Sequence, residues 1–178
     1  MSETHTIKQF EEELRLIKEK VLRLGGLVEE GIANSIKALV DRDTPLANRT
    51  IENDHVINGL EVEIDELCLK VLALRQPAAS DLRLITTAIK IITDLERIGD
   101  LAVNIAERAV SLSRNPKYPR QEALLDFIKL MAQKAKLMLR KSLDALVNLD
   151  AKLALEVCAS DDEVDELDFF ALDKLPEP

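Results

Sequence analysis

The chain has 178 residues, a net charge of −9 and a pI near 4.9. Gripping nucleic acid requires clustered Lys and Arg that displace phosphate counterions, and no such run is present, so nucleic acid is not an expected partner. Hydrophobic residues make up 47 % but aromatics only 3 %, with no Trp, five Gly and six Pro; a composition dominated by Leu, Ala, Ile, Glu and Lys favours long helices over sheet.

Met1 to Gln9 carries charges and no apolar stretch, so no signal peptide is expected. Every apolar run stops well short of the roughly 18 residues of a membrane span, so membrane insertion is not expected either. Cys68 and Cys158 fall in apolar helical settings and are expected as buried free thiols in a reducing cytoplasm.

The first helix is expected from about Thr6 to Asp41, with Phe10, Leu14, Ile17, Val21, Leu24 and Val28 on one stripe. Gly25-Gly26 lies inside it, which a close neighbour or a mild kink would explain. Asp43-Thr44-Pro45 reads as a cap followed by proline in a first turn. The second helix then runs from Pro45 to about Leu74 on Ile57, Leu60, Ile64, Leu67, Val71 and Leu74. It ends at Gln76-Pro77. The third runs from about Ala78 to Ser113 on Leu82, Ile85, Ile89, Ile92, Leu95, Ala102, Ile105 and Ala109. Arg114 to Pro119, with two prolines, is the one clear linker. The expected fold is all-α, an up-down three-helix bundle repeat.

Slid against itself by 107 residues, the segment after the linker falls on the start of the chain without a gap. Ala38-Leu39-Val40 meets Ala145-Leu146-Val147, Asp43 meets Asp150, Asp54 meets Asp161 and Leu60 meets Leu167. Ser35 meets Ser142. Apolar and acidic positions agree together, which marks a tandem repeat. The expected organisation is a first three-helix repeat over 1–113, a linker over 114–120, and a truncated second repeat over 121–178 that lacks the third helix. Its ending loses the pattern from about Phe169. An incomplete bundle leaves an apolar face open, which partners or a second subunit would cover, and a homodimer is expected.

Catalytic machinery is not visible. His5 and His55 are the two histidines, and no nucleophile triad or glycine-rich phosphate loop can be assembled around them. Glu96, Asp100, Asn104 and Glu107 do fall at i, i+4, i+8 and i+11 of the third helix, and Asp54, Asn58, Glu61 and Asp65 form a comparable stripe on the second. Carboxylates at i, i+4 repel by about 0.2–0.5 kcal/mol, and a cation between them reverses that sign. Oxygen donors with hardly a His or Cys suit a hard cation. From spacing alone both stripes read more readily as solvated flanks, with Arg97 neutralising Asp94 and Asp100.

Pro77-Ala78-Ala79-Ser80-Asp81-Leu82-Arg83, followed by Asp94-Leu95-Glu96-Arg97-Ile98-Gly99-Asp100 and Asn104-Ile105-Ala106-Glu107, resembles the PhoU family of phosphate-uptake regulators over about residues 5 to 168. The resemblance implies metal ions on the bundle surface, held by Glu96 and Asp100, with Asn104 beside them and Asp54 assisting. Iron, manganese, magnesium and zinc are the candidates. It also implies a cytoplasmic regulator, not an enzyme, that restrains the Pst phosphate transporter and its PhoR-type sensor kinase. Two rival readings stay open: a metal-free helical scaffold, and a carboxylate-bridged metal enzyme or metal store.

Overall fold

The computed structural model describes residues 2–115 and 119–173. Every element among them is helical: α1 (Ser2–Asp41), α2 (Thr44–Glu52), α3 (Asp54–Arg75), α4 (Ala79–Ser113), α5 (Glu122–Asn148), α6 (Ala151–Ala159) and α7 (Asp161–Asp173). The all-α expectation holds.

The expected second helix is two helices. Asn53, at φ −75° and ψ −8°, leaves the α-helical ladder, and Val56 N–H donates back to the Asn53 carbonyl over an i+3 step at 3.0 Å. Asparagine competes for backbone hydrogen bonds and is a weak helix former, so the chain re-starts there. The consequence for function is that Asp54 becomes the first residue of α3. Further along, α3 ends at Gln76, which adopts the left-handed conformation at φ 46° before Pro77. Proline disfavours helical backbone in its predecessor, which explains the stop.

The chain forms two compact units, one of Met1–Val28 with Asn53–Asp100, the other of Glu29–Glu52 with Leu101–Pro178. In the first unit α1 and α3 run antiparallel, since Glu13 pairs with Arg75 and Lys20 with Glu63. The Arg75 guanidinium grips Glu13 through two bonds of 2.9 Å, and that grip holds the Glu13 carboxyl below the usual range. The core of this unit is Ile17, Val21, Leu24 and Val28 from α1, Ile57, Leu60, Ile64, Cys68 and Val71 from α3, and Ile85, Ala88, Ile92 and Leu95 from α4. Burying each large aliphatic side chain contributes about 1.5–3 kcal/mol.

Several seam positions differ from expectation, Ile89 and Ile105 being half-buried beside the buried Ala88 and Ala106. Leu74 and Leu82 are exposed, and Leu67 is only half-buried while Cys68 is fully buried. A straight helix of 3.6 residues per turn drifts away from a strict 3.5 repeat, so the inward position moves from the expected 67 to 68.

In the second unit Ala38, Ala47, Ala106 and Ala109 form a buried cluster, edged by Leu39, Leu46, Ile51 and Val110. Four alanines let helix backbones approach closely. Arg140 of α5 pairs with Glu29 of α1. Cys158 is exposed, contrary to the expected buried thiol, because α6 turns Val157 inward and the next residue outward. The buried Cys68 thiol is pushed up to about 11, first by burial and then by the charge of Asp65.

Segments 107 residues apart share two backbone features, although the two compact units do not follow the expected 1–113 and 121–178 division. Asp43 caps α2 by accepting from Leu46 N–H at 2.9 Å, and Asp150 caps α6 by accepting from Leu153 N–H at 3.0 Å. Asn53 and Ser160 break the two copies with nearly the same dihedral angles. Burial differs between the copies: Ser35 and Ala47 are fully buried, whereas their counterparts Ser142 and Ala154 are exposed. Phe169 and Phe170 belong to α7 and are exposed, with their rings in edge contact; the remainder of the expected atypical ending, 174–178, lies outside the described residues, as do 116–118 of the linker.

Candidate metal site

The acidic residues of the first unit come from two helices. Asp54 opens α3, where the positive end of the helix dipole favours a carboxylate. One turn on, Asn58 donates from Nδ2 to Asp54 Oδ2 at 2.8 Å. That bond leaves two buried oxygens with no hydrogen-bond partner, Asp54 Oδ1 and Asn58 Oδ1. Buried oxygens without a donor are costly, by about 1–3 kcal/mol each, and they are the feature here that asks for a positive partner.

Gly99 of α4 is what lets the two helices meet at this level. A methyl group on its Cα would stand 3.2 Å from both Cδ1 and Cγ2 of Ile57, and 3.9 Å from Asp54 Oδ1. Asp54 Oδ1 is therefore held over the bare α4 backbone between Glu96 and Asp100 in sequence. Glu96 registers this setting: burial, then the negative charges of Asp100, Glu61 and Asp54, hold its carboxyl above the usual range, with Arg97 pulling the other way.

The structure thus brings Asp54, Glu96 and Asp100, all named from sequence, into one acidic neighbourhood and adds Glu61 to it. Asn104 is exposed further along α4, on the second unit. Asp65, the last of the α3 stripe, is felt at Cys68. Among the described residues no three His, Cys, Asp or Glu side chains stand close enough together to hold a metal ion as they are. The donor set nevertheless has the chemistry of a hard-cation site: carboxylates and an amide carbonyl, without sulfur. The counterparts of Asp54 and Asn58 in the second copy, Asp161 and Asp165, are both exposed.

The described residues define an all-helical protein with an acidic face on α3 and α4. The model of the PhoU domain matches residues 21–109 and 128–175. The chain belongs to the PhoU family. It is 44 % identical over 161 residues to the phosphate-specific transport system accessory protein PhoU homolog of Pseudomonas aeruginosa, covering 90 % of this chain and 65 % of that protein. It is 38 % identical over 163 residues to the accessory protein PhoU of Escherichia coli K12, covering 91 % and 66 %. The crystal structure of PhoU from Pseudomonas aeruginosa superposes with a TM-score of 0.86 at 41 % identity, over 93 % of this chain and 78 % of that one. That of the phosphate transport system regulatory protein PhoU from Streptococcus pneumoniae gives 0.82 at 30 %, over 91 % and 74 %. The chain spans 62–65 % of the length of the first curated relatives it matches.

No helix of the described residues is long and apolar enough to cross a membrane. Both relatives bear the names of accessory proteins rather than of enzymes.

Proposed function

We propose that this protein is a cytoplasmic regulator of phosphate uptake and phosphate-starvation signalling, which restrains the Pst transporter and a PhoR-type sensor kinase. The observation that carries the reading is its kinship, at about 40 % identity over most of the chain, with accessory proteins of the phosphate-specific transport system. Long helices with apolar and charged faces suit docking onto helical partners. Regulation of this kind requires no catalytic set. The test is to express the chain in a bacterium lacking its own PhoU and to follow a phosphate-starvation reporter in rich phosphate. Restored repression supports the reading; a reporter that stays fully induced, with the chain soluble and abundant, overturns it.

The second part of the proposal is a hard cation, Mg²⁺, Mn²⁺ or an iron ion, at the acidic face. Asp54, Glu96 and Asp100 would hold it, and it would neutralise the repulsion that Glu96 registers. The two partnerless buried oxygens support this. A metal-free scaffold is favoured instead by the absence, among the described residues, of three ligands already together. Uptake of Mn²⁺ by the unaltered chain, lost in Glu96→Gln/Asp100→Asn, decides for the cation; equal non-uptake by both decides for the scaffold. The homodimer is proposed on the exposed apolar residues of the second copy, among them Leu137, Leu155 and Phe169, and sedimentation of the purified chain checks it.

A further inference from the structure

In the second unit an apolar groove of about 290 Å³ runs between the end of α1 and α5, floored by Ile36 and Val40 of α1 and Ala132 of α5. Its walls carry Lys37, Lys129 and Lys136 against one acidic residue, Asp41. Lys129 pairs with Asp126, whereas Lys37 and Lys136 have no carboxylate within ion-pair distance among the described residues. Three lysines around an apolar floor stand out in a chain of net charge −9.

α7 has the opposite character and carries no Lys, Arg or His. It packs on α5 with its less exposed residues, Val164, Leu167 and Ala171, and Glu163 pairs with Lys134. At 3.6 residues per turn the other side of the helix presents Asp162, Asp165, Glu166 and Phe169, all exposed. Phe169 is 70 % exposed and meets the ring of Phe170 edge-on at 6.1 Å. The groove and this stripe match in length as well as in charge. Lys129 and Lys136 are seven residues apart on α5, as are Asp162 and Phe169 on α7, about 10 Å along a helix. A groove between two helices takes an amphipathic helix by its apolar anchor, and charges at the rim select the partner.

We propose that the groove takes α7 of a second copy of this chain, with Phe169 seated on Ile36 and Val40 and its flanking carboxylates against the three lysines. This rests on the homodimer reading above and names the surfaces that form it. Groove and helix belong to the same unit of each copy, so a two-fold pair makes the contact twice. An acidic helix of a foreign protein would meet the same lysines, but this chain already carries the complementary stripe.

The test is sedimentation equilibrium of the 178-residue chain, which reads the dimer dissociation constant. Lys37→Glu/Lys136→Glu and Asp162→Lys/Glu166→Lys are each expected to raise it at least about tenfold. Mixed in equal amounts, the two variants are expected to form a heterodimer of near-parental affinity, because opposite charges then meet at both contacts. Added salt is expected to weaken the parent dimer. Phe169→Ser, at an exposed position and without a charge change, is expected to weaken it too, and keeps the test open should a charge reversal disturb folding. If the parent dimerises and all of these variants dimerise as it does, the homodimer stands and this interface falls. If the charge variants weaken the dimer and mixing does not restore it, groove and stripe do not face each other and the inference is again overturned. A parent that sediments as a monomer at every concentration overturns the homodimer and the inference together.

Discussion

Arg42 and Leu149 hold the same left-handed backbone conformation 107 residues apart, at φ 55° and 54°. Each ends a long helix, and in each copy the aspartate that follows donates its N–H five residues back, to Ala38 at 3.0 Å and to Ala145 at 2.9 Å. Neither residue is glycine, so each carries the steric cost of a Cβ in this region, about 1 kcal/mol. Leu149 is 75 % exposed and has little packing to lose. Leu149→Gly is therefore expected to stabilise the chain by about 0.5 kcal/mol, after the greater chain entropy of unfolded glycine is allowed for. A melting temperature that falls on this substitution contradicts the argument.

The caps that follow are separable from the turns. Asp43 and Asp150 each accept a hydrogen bond from the third residue of the short helix they open. Asp43→Ala and Asp150→Ala should each cost about 1 kcal/mol. They sit in different copies with different partners, so their effects should add. Chemical denaturation of the two single variants and the double variant measures this; a double variant no worse than either single one would mean that the caps are not independent.

The repeat was legible because it lives in short-range chemistry: an aspartate, a tight turn and a nine-residue helix, repeated in register. The α-class was legible from composition and spacing for the same reason. The exposed Leu74 and Leu82 were not, because they lie in the last turn of α3 and the first turn of α4, and periodicity along one helix does not show how far its neighbours extend to cover its ends. At the acidic face, spacing put Glu96 and Asp100 one turn apart and placed Asp54 at the head of its own stripe, but only the fold puts Asp54 over Gly99. Asn58 was visible as a member of a stripe, while its partnerless carbonyl depends on burial and on the bond to Asp54. Burial arises from helix packing, so one helix read alone could not show it.

The glycines give a test of that packing. A Cβ at Gly26 or at Gly59 would meet nothing within 4 Å. Helical glycine costs about 1 kcal/mol relative to alanine, so Gly26→Ala and Gly59→Ala should each stabilise by about 0.5–1 kcal/mol. Gly99→Ala should do the opposite, because its Cβ would press on two carbons of Ile57, a residue only 7 % exposed. Thermal unfolding of the three variants in metal-free buffer checks the contrast. A Gly99→Ala chain as stable as Gly26→Ala would show that α3 and α4 do not approach as closely at this level as the geometry requires.

Glu96 supplies the prediction that links stability to the proposed cation. Its carboxyl titrates above the usual range because burial and the charges of Asp100, Glu61 and Asp54 disfavour the ionised form in the folded state. The unfolded chain loses that proton at lower pH than the folded one. Between the ordinary glutamate value and the raised one, the folded state therefore binds more protons, and stability falls as pH rises. Above the raised value the full penalty is present; in acid below the ordinary value it is gone. Glu96→Gln removes the charge and keeps the shape, so the metal-free variant should melt above the parent at neutral pH and match it at low pH. Saturating Mn²⁺ should reverse the order, since a ligand bound only by the native parent raises its melting temperature and leaves the variant where it was. Unfolding measured across pH, with and without the ion, reads both signs. A variant that melts below the parent at neutral pH in metal-free buffer would mean that Glu96 is held by favourable contacts rather than by repulsion, and the case for a cation there would lose its electrostatic basis.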